Sequence, residues 1–190
     1  VDMIFTDSNL ATCVQNEASA NNFTLVSELT SLDCSFNNIS DLTGIEYLVA
    51  LTSLDLSSNQ IVNISPLANL TALTNLELSS NQIIDINPVS NLTALVYLDL
   101  GSNLITDITV LLNLTNTIHI DLLGNGNLDC FDVDALEVVL GTGIINRPLS
   151  CPLLVDMIFT DSNLATCVQN EAAANSWTLM SEMTSLDCSF

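Results

Sequence analysis

The chain has 190 residues and a formal charge of −21, because 22 acidic side chains face a single arginine and no lysine. Nucleic acids and anionic membranes bind basic surfaces, so this charge excludes both as partners. Aromatic residues make up only 5% of a chain that is 48% hydrophobic, which favours a thin core of leucine and isoleucine. No apolar run predicts a membrane span, and no basic segment followed by an apolar run predicts a signal peptide. Because the chain starts at Val1, we expect it to be a piece of a longer protein.

Residues 1–28 lack the periodicity of the residues that follow, and we predict that they form an N-terminal cap. Asp7 or Ser8 is suited to starting a helix. Its apolar face would consist of Leu10, Ala11, Val14 and Ala18. We expect this face to cover the first coil of the next segment.

Residues 29–125 repeat one pattern every 22 residues. Each coil has two apolar positions that are two residues apart. The first column holds Leu32, Leu54, Leu76, Leu98 and Ile120, and the second holds Cys34, Leu56, Leu78, Leu100 and Leu122. Three residues after the second column, every coil has an asparagine: Asn37, Asn59, Asn81, Asn103 and Asn125. This period and this order of residues are typical of a leucine-rich repeat.

Each Leu-x-Leu triplet turns two side chains inward and one outward, as a short strand does. A buried asparagine carries both a donor and an acceptor, so the asparagine column is predicted to satisfy backbone groups where the coils leave the strands. Pro66 and Pro88 share another column, where they exclude strand pairing and favour turns. The predicted fold class is α/β: a leucine-rich-repeat solenoid with a curved parallel sheet on the concave side, turns or 3₁₀ pieces on the convex side, and helical, disulfide-closed caps.

Residues 126–154 are predicted to form a C-terminal cap, in which DVDALEVVLG indicates a helix that stops at Gly141. Residues 155–190 then repeat residues 1–36 at 31 of 36 positions, and we predict that they start the next tandem module. The five differences are Ser19 to Ala173, Asn22 to Ser176, Phe23 to Trp177, Val26 to Met180 and Leu29 to Met183. We infer an array of modules, each with its own two caps.

The six cysteines fall into three pairs that are each 21 residues apart: Cys13 and Cys34, Cys130 and Cys151, Cys167 and Cys188. Sequence alone leaves their pairing open, and free buried thiols are the alternative. We predict the local pairing, because it closes every module by itself; each bridge would contribute roughly 3 kcal/mol. Oxidised cysteines would imply an extracellular compartment.

The coils LTSLDLSSNQIVNISPLANL and LTNLELSSNQIIDINPVSNL resemble the repeats of internalin-like bacterial surface proteins. The resemblance covers residues 29–125. It implies a cell-surface protein whose concave sheet engages a protein or glycan partner. The caps resemble those of other bacterial leucine-rich-repeat surface proteins.

One acidic residue per strand stands between the two apolar columns and is predicted to line the concave face: Asp33, Asp55, Glu77, Asp99 and Asp121. Strands are ~4.8 Å apart, so these charges repel one another by about 1 kcal/mol per pair in water. A solubilising column, a row that gathers calcium or another cation, and a surface for a basic partner are the three interpretations. No cofactor is required by the sequence, and calcium is the one candidate.

Two further groups of polar residues are candidates for metal binding. His119 and Tyr97 flank the acidic column, where a surface role is the alternative for the histidine. Asp129, Asp132 and Asp134 suggest a calcium loop, but their spacing does not match an EF-hand, and an acidic helix start is the alternative.

Six asparagines match the acceptor pattern for N-glycosylation: Asn22, Asn38, Asn63, Asn69, Asn91 and Asn113. The last three form one column of the repeat, so a structural role in the turn is the alternative.

The sequence contains no catalytic motif, and we predict that the protein is not an enzyme. The favoured function is an extracellular structural protein in which stacked modules form a fibre, a filament or a surface stalk, so that its main partner is itself. The alternatives are an adhesin that binds a protein or glycan through the concave face, and a non-covalent filament in which residues 155–190 dock on the next chain.

Overall fold

The computed structural model describes residues 5–21, 25, 28–141 and 144–148. These residues contain one parallel sheet whose six strands follow each other in chain order. The strands are β1 (Ser31–Asp33), β2 (Ser53–Asp55), β3 (Asn75–Glu77), β4 (Tyr97–Asp99), β5 (His119–Asp121) and β6 (Ile145–Asn146). Between β1 and β5 each residue lies beside the residue 22 positions later, as Leu54 does beside Leu76. The predicted leucine-rich-repeat solenoid is confirmed.

Short 3₁₀ segments lie between successive strands of the repeat. They are Ile45–Tyr47, Ser65–Leu67, Asn87–Asn91 and Thr109–Asn113. Pro66 and Pro88 lie in the first turn of the second and third segments, where the fixed φ of proline suits the turn and its missing N–H is not needed. The prediction of short 3₁₀ pieces instead of long helices is therefore confirmed.

The core is a single layer of leucine and isoleucine between the sheet and the 3₁₀ segments. In the second coil Leu54, Leu56, Ile61, Ile64 and Leu67 are all buried, and the equivalent residues of the neighbouring coils belong to the same cluster. No coil could bury its own apolar edge, so the stability of each coil depends on its neighbours.

The buried asparagines hold adjacent coils together through their side chains. Asn59 accepts hydrogen bonds at Oδ1 from the backbone N–H groups of Asn37 (3.1 Å) and Ile39 (2.9 Å). Its Nδ2 donates to the carbonyl groups of Cys34 and Leu56, both at 2.9 Å. Asn81, Asn103 and Asn125 make three of these bonds one coil further on each time: Oδ1 accepts from the isoleucine amide, and Nδ2 donates to the two carbonyl groups.

Asn37 differs from the other members of its column. Its side chain is exposed, and its Nδ2 donates to the carbonyl of Ser35 at 2.7 Å within the same turn. The residues on either side of it, Phe36 and Asn38, both have φ of 56°, whereas the later coils have one left-handed residue before the asparagine, such as Ser58. No earlier coil precedes the first one, so Asn37 has no backbone groups of a preceding coil to satisfy.

The N-terminal cap is built on helix α1 (Ser8–Ala20), which buries Leu10, Cys13, Val14 and Ala18. Asp7 is its N-cap and accepts hydrogen bonds at Oδ1 from the amides of Asn9 (2.8 Å) and Leu10 (3.3 Å). The other carboxylate oxygen accepts from the amide of Ser40 at 2.9 Å, so one side chain joins the helix to the first coil. Burial alone would raise the pKa of Asp7, but the amide hydrogen bonds outweigh it and hold this pKa below its usual value.

The C-terminal cap contains helix α2 (Cys130–Leu140) and strand β6. Helix α2 starts two residues before the predicted DVDALEVVLG segment and ends at Leu140, just before Gly141, whose φ of 108° is left-handed. Strand β6 was not predicted. It pairs with β5, so the closing cap continues the sheet by one strand.

Candidate functional site: the acidic concave face

Two columns of outward side chains form the concave face of the sheet. One consists of Ser31, Ser53, Asn75, Tyr97 and His119, and the other consists of Asp33, Asp55, Glu77, Asp99 and Asp121. We call the second column the acidic ladder. In-register pairing places each carboxylate beside the next, as the 22-residue period predicts.

Four of the five ladder residues use one carboxylate oxygen to close their own turn. The Oδ1 atoms of Asp55, Asp99 and Asp121 each accept a hydrogen bond at 2.8 Å from the amide two residues later. Asp33 makes the same contact at 2.9 Å. The strands are only three residues long, and this contact satisfies an amide that has just left the sheet. The ladder therefore has a structural role that the sequence analysis missed, although an aspartate at the last position of a strand is the signal for it.

Glu77 is the exception in the middle of the ladder. Its side chain is one methylene longer than aspartate, and it makes no such hydrogen bond to the amide of Ser79 within the described residues. Partial burial raises the pKa of Glu77, and the charges of Asp55, Asp99 and Asp33 raise it further. Repulsion from the neighbouring carboxylates therefore adds to the effect of burial at Glu77.

An aromatic pair lies at one end of the concave face. The rings of Tyr97 and His119 are stacked, with centroids 4.9 Å apart and planes 10° from parallel. Burial raises the pKa of the Tyr97 hydroxyl, and the charges of Asp99, Glu77 and Asp121 add to the effect. Stacking covers one face of each ring, so the pair offers its outer ring faces and ring edges beside carboxylates, where a sugar ring or a cationic group could pack.

Within the part of the chain that the structure describes, no three histidine, cysteine, aspartate or glutamate side chains are grouped so that they could hold a metal ion. The ladder residues face one another in a row, and four of them already direct one oxygen to a backbone amide. Calcium binding along Asp33, Asp55, Glu77, Asp99 and Asp121 stays a prediction, for which the structure offers no preformed site.

The second proposed calcium group takes a different role in the structure. Asp134 is buried and forms an ion pair with Arg147, with 2.6 Å between Oδ1 and the nearer guanidinium nitrogen. Glu137 binds the same guanidinium at 3.0 Å. Burial raises the pKa of Glu137 although Arg147 opposes the shift. The only cationic Lys or Arg side chain of the sequence thus fastens β6 to α2, and Asp134 does not form a calcium loop with Asp129 and Asp132.

The cysteines of the first cap form a disulfide between Cys13 and Cys34, whose Cα atoms are 5.8 Å apart. It joins α1 to the residue that follows β1. Cys130, the first residue of α2, is also disulfide-bonded. Cys151, Cys167 and Cys188 lie outside the described residues, so the pairings predicted for them stay predictions.

Five of the six glycosylation candidates lie in the described part of the chain, and all five side chains are exposed; Asn22 lies outside it. Asn63 accepts a hydrogen bond from the amide of Ser65, which gives it a structural role. Asn69, Asn91 and Asn113 make no side-chain hydrogen bond with the described residues. Modification at these positions stays a prediction.

Comparison with known proteins agrees with this architecture. A family model described as Leucine Rich repeats (2 copies) matches residues 27–69 and 71–133. The crystal structure of the internalin InlF from Listeria monocytogenes is similar, with a TM-score of 0.56 and 33% identity over 66% of this chain and 42% of that one. The functional domain of InlJ from Listeria monocytogenes, described as including a cysteine ladder, has a TM-score of 0.55 and 30% identity over 65% of this chain and 33% of that one. This chain spans less than half of either internalin, and no curated protein sequence matches it.

Proposed function

This chain belongs to the leucine-rich-repeat family, and on that premise we propose that it is a non-enzymatic, extracellular structural protein. Its modules would stack end to end in a fibre, a filament or a surface stalk. The observation that carries the proposal is the tandem copy at residues 155–190, which begins a second module directly after the first. A chain built in this way gains length with each added module, while the chemistry of each module stays the same.

The chemistry of the concave face also favours a structural role. Binding surfaces rely on a few large anchors such as tryptophan, tyrosine and arginine. The two outward columns consist mainly of aspartate, serine and asparagine, and four of the ladder carboxylates are engaged with their own turns. Disulfide-closed caps suit an oxidising extracellular compartment. No helix of the described residues is long and apolar enough to cross a membrane.

The mass of the native material, measured first under native and then under denaturing, reducing conditions, tests the proposal. We expect a native mass many times the 20.4 kDa of this chain. A denatured mass that exceeds the mass of this chain by several 154-residue modules would establish a covalent array. A denatured mass near that of one chain would establish a non-covalent filament. A native mass equal to that of one chain would contradict the proposal.

An adhesin that binds a protein or glycan is the second candidate, and the stacked Tyr97 and His119 rings favour it. A glycan array probed with the native protein and with the Tyr97→Ala variant tests this candidate. Loss of a specific signal in the variant would support a binding role for this platform. Absence of any specific signal from the native protein would leave the structural role as the better account.

A further inference from the structure

Three exposed side chains of helix α2 are apolar, which is unusual in a molecule with a net charge of −21. Ala135, Val138 and Val139 lie on one side of the helix at the spacing of a single face, and all three are exposed. The side chains of Val138 and Val139 are 64% and 54% exposed. We call these three residues the α2 stripe. Asp134 and Glu137 turn inward to Arg147, and the half-buried Asp132 lies on the stripe side of the helix, one turn before Ala135.

The exposed side of helix α1, at the other end of the module, is without charge. Its outward residues are Ser8, Thr12, Gln15 and Ser19, with Asn9, Asn16 and Ala20 beside them. The single acidic residue of the helix, Glu17, is partly buried and accepts a hydrogen bond from Asn21. The exposed side of α1 is therefore neutral, and the α2 stripe has the half-buried Asp132 beside it, while the ladder concentrates acidic charge on the concave side. Contact between the stripe and a neutral helix face would bring no like charges together.

We propose that the α2 stripe is the docking surface for the cap helix of the following module, which this chain carries as residues 162–174, the copy of α1. The inference rests on the proposed function and names the contact that would join two stacked modules. One difference between the copies supports the assignment. Ser19 lies on the exposed side of α1 near its C-terminal end, and its hydroxyl donates to the carbonyl of Gln15. The copy has Ala173 at this position, which removes a polar group from the face that would meet the stripe.

The connection between the two elements makes a small interface sufficient. Cys130 is the first residue of α2 and is disulfide-bonded. If its partner is Cys151, as the spacing predicts, the docking segment begins at residue 162, eleven residues beyond the bridge, a reach of at most about 40 Å. A tether of this kind raises the effective concentration of the docking partner to the millimolar range. A stripe of three small residues is too small to hold a separate molecule, for which a stable interface buries roughly 1,000 Å² or more.

Hydrogen exchange of the full chain tests the proposal, with amide protection of residues 162–174 as the readout. The double variant Val138→Glu and Val139→Glu places two charges on the stripe without touching the core, and it should speed exchange in residues 162–174 about tenfold or more. The matched control is Val49→Glu with Val62→Glu, because these valines are similarly exposed (59% and 51%) but belong to the repeat coils. The control should leave residues 162–174 unchanged, and strands β2 to β5 should stay protected in both variants.

A second pair of variants tests the partner surface from the other side. Ala173→Glu should speed exchange in residues 162–174 as strongly as the stripe variant does. Ser19→Glu, the equivalent change in the first cap, should leave the exchange of α1 within about twofold of the native rate, because α1 has no stripe to meet in a single chain.

Equal exchange of residues 162–174 in the stripe variant and in its control would overturn the proposal. Protection that grows with protein concentration would also overturn it, because the occupant would then be a second molecule. These outcomes concern the junction alone. Fibres in the native material, together with exchange of residues 162–174 that the stripe variant leaves unchanged, would support the proposed function and contradict the proposed junction. A native mass of one chain would contradict the proposed function itself.

Discussion

The side-chain Oδ1 of Asn59 accepts a hydrogen bond at 2.9 Å from the backbone amide of Ile39, which lies 20 residues earlier in the preceding coil. The same side chain donates to carbonyl groups of both coils. Each buried asparagine of the column thus replaces the backbone partners that the chain loses where it leaves the sheet. Stacking of coils is fixed by these contacts as well as by the apolar core.

Replacement of Asn81 by alanine is therefore expected to be strongly destabilising. The change leaves the buried amide of Ile61 without its partner and removes one of the two asparagine donors from each of the carbonyl groups of Leu56 and Leu78. We expect a loss of about 2 kcal/mol or more in the free energy of unfolding, measured by urea denaturation. Asn69→Ala is the control, since this exposed side chain makes no hydrogen bond in the described residues, and a loss of the same size there would contradict the account.

Gly124 occupies the column in which the preceding coils have Ser58, Ser80 and Ser102. Its φ of 77° is left-handed, and a Cβ atom at this position would lie only 3.0 Å from backbone atoms of Ser102. Gly124→Ala should therefore reduce the free energy of unfolding by about 2 kcal/mol. Gly126→Ala, where a Cβ would meet nothing within 4 Å, should change stability little. If Gly124→Ala and Gly126→Ala changed the free energy of unfolding equally, the close approach of the two coils would not be the reason for the glycine at position 124.

Glu77 should make the protein less stable as the pH rises. Its pKa is raised in the folded state by burial and by Asp55, Asp99 and Asp33, so the folded state holds this proton more tightly than the unfolded state does. Stability is consequently lost as the pH rises from the ordinary glutamate pKa through the raised folded pKa. Glu77→Gln should raise the midpoint of thermal unfolding at pH 7, by the equivalent of roughly 0.5 kcal/mol, and have little effect at pH 4. A variant that is less stable at pH 7 would contradict this reasoning.

Asp7 should have the opposite dependence on pH, because its folded pKa is lowered. Its stabilising effect is present above the ordinary aspartate pKa and is lost as the pH falls through the lowered folded value. Asp7→Ala removes the N-cap of α1 and the contact with Ser40, and should cost about 2 kcal/mol at pH 7. Thermal unfolding of the native chain and the variant at pH 7 and pH 2 checks this; an equal difference at both pH values would show that the carboxylate charge contributes nothing.

The repeat, both cap helices and the 3₁₀ segments could be predicted because each depends on residues that are close in the sequence or one period apart. Contacts outside the period could not be predicted in this way. Arg147 reaches Asp134 and Glu137 across 13 and 10 residues that carry no repeat, and β6 has only two residues and no Leu-x-Leu signal. Asn37 follows the period in sequence but lacks a preceding coil, so the pattern could not indicate its exposure.

The acidic ladder shows a different limit of prediction from sequence. Its position on the concave face followed from alternation along each strand, and its charge repulsion followed from the strand spacing. The turn-closing hydrogen bonds of Asp33, Asp55, Asp99 and Asp121 depend on the backbone direction after the strand. Charge patterning alone favoured contacts of these carboxylates with solvent, cations or partners. It gave no indication of the hydrogen bond to the backbone amide two residues later.

Electron cryomicroscopy of the native material tests the central claim most directly. The account predicts long particles in which one solenoid module follows another at a constant spacing, with no additional density on the concave faces. Dispersed single solenoids that carry an ordered partner against Tyr97 and His119 would contradict it and would identify the protein as an adhesin.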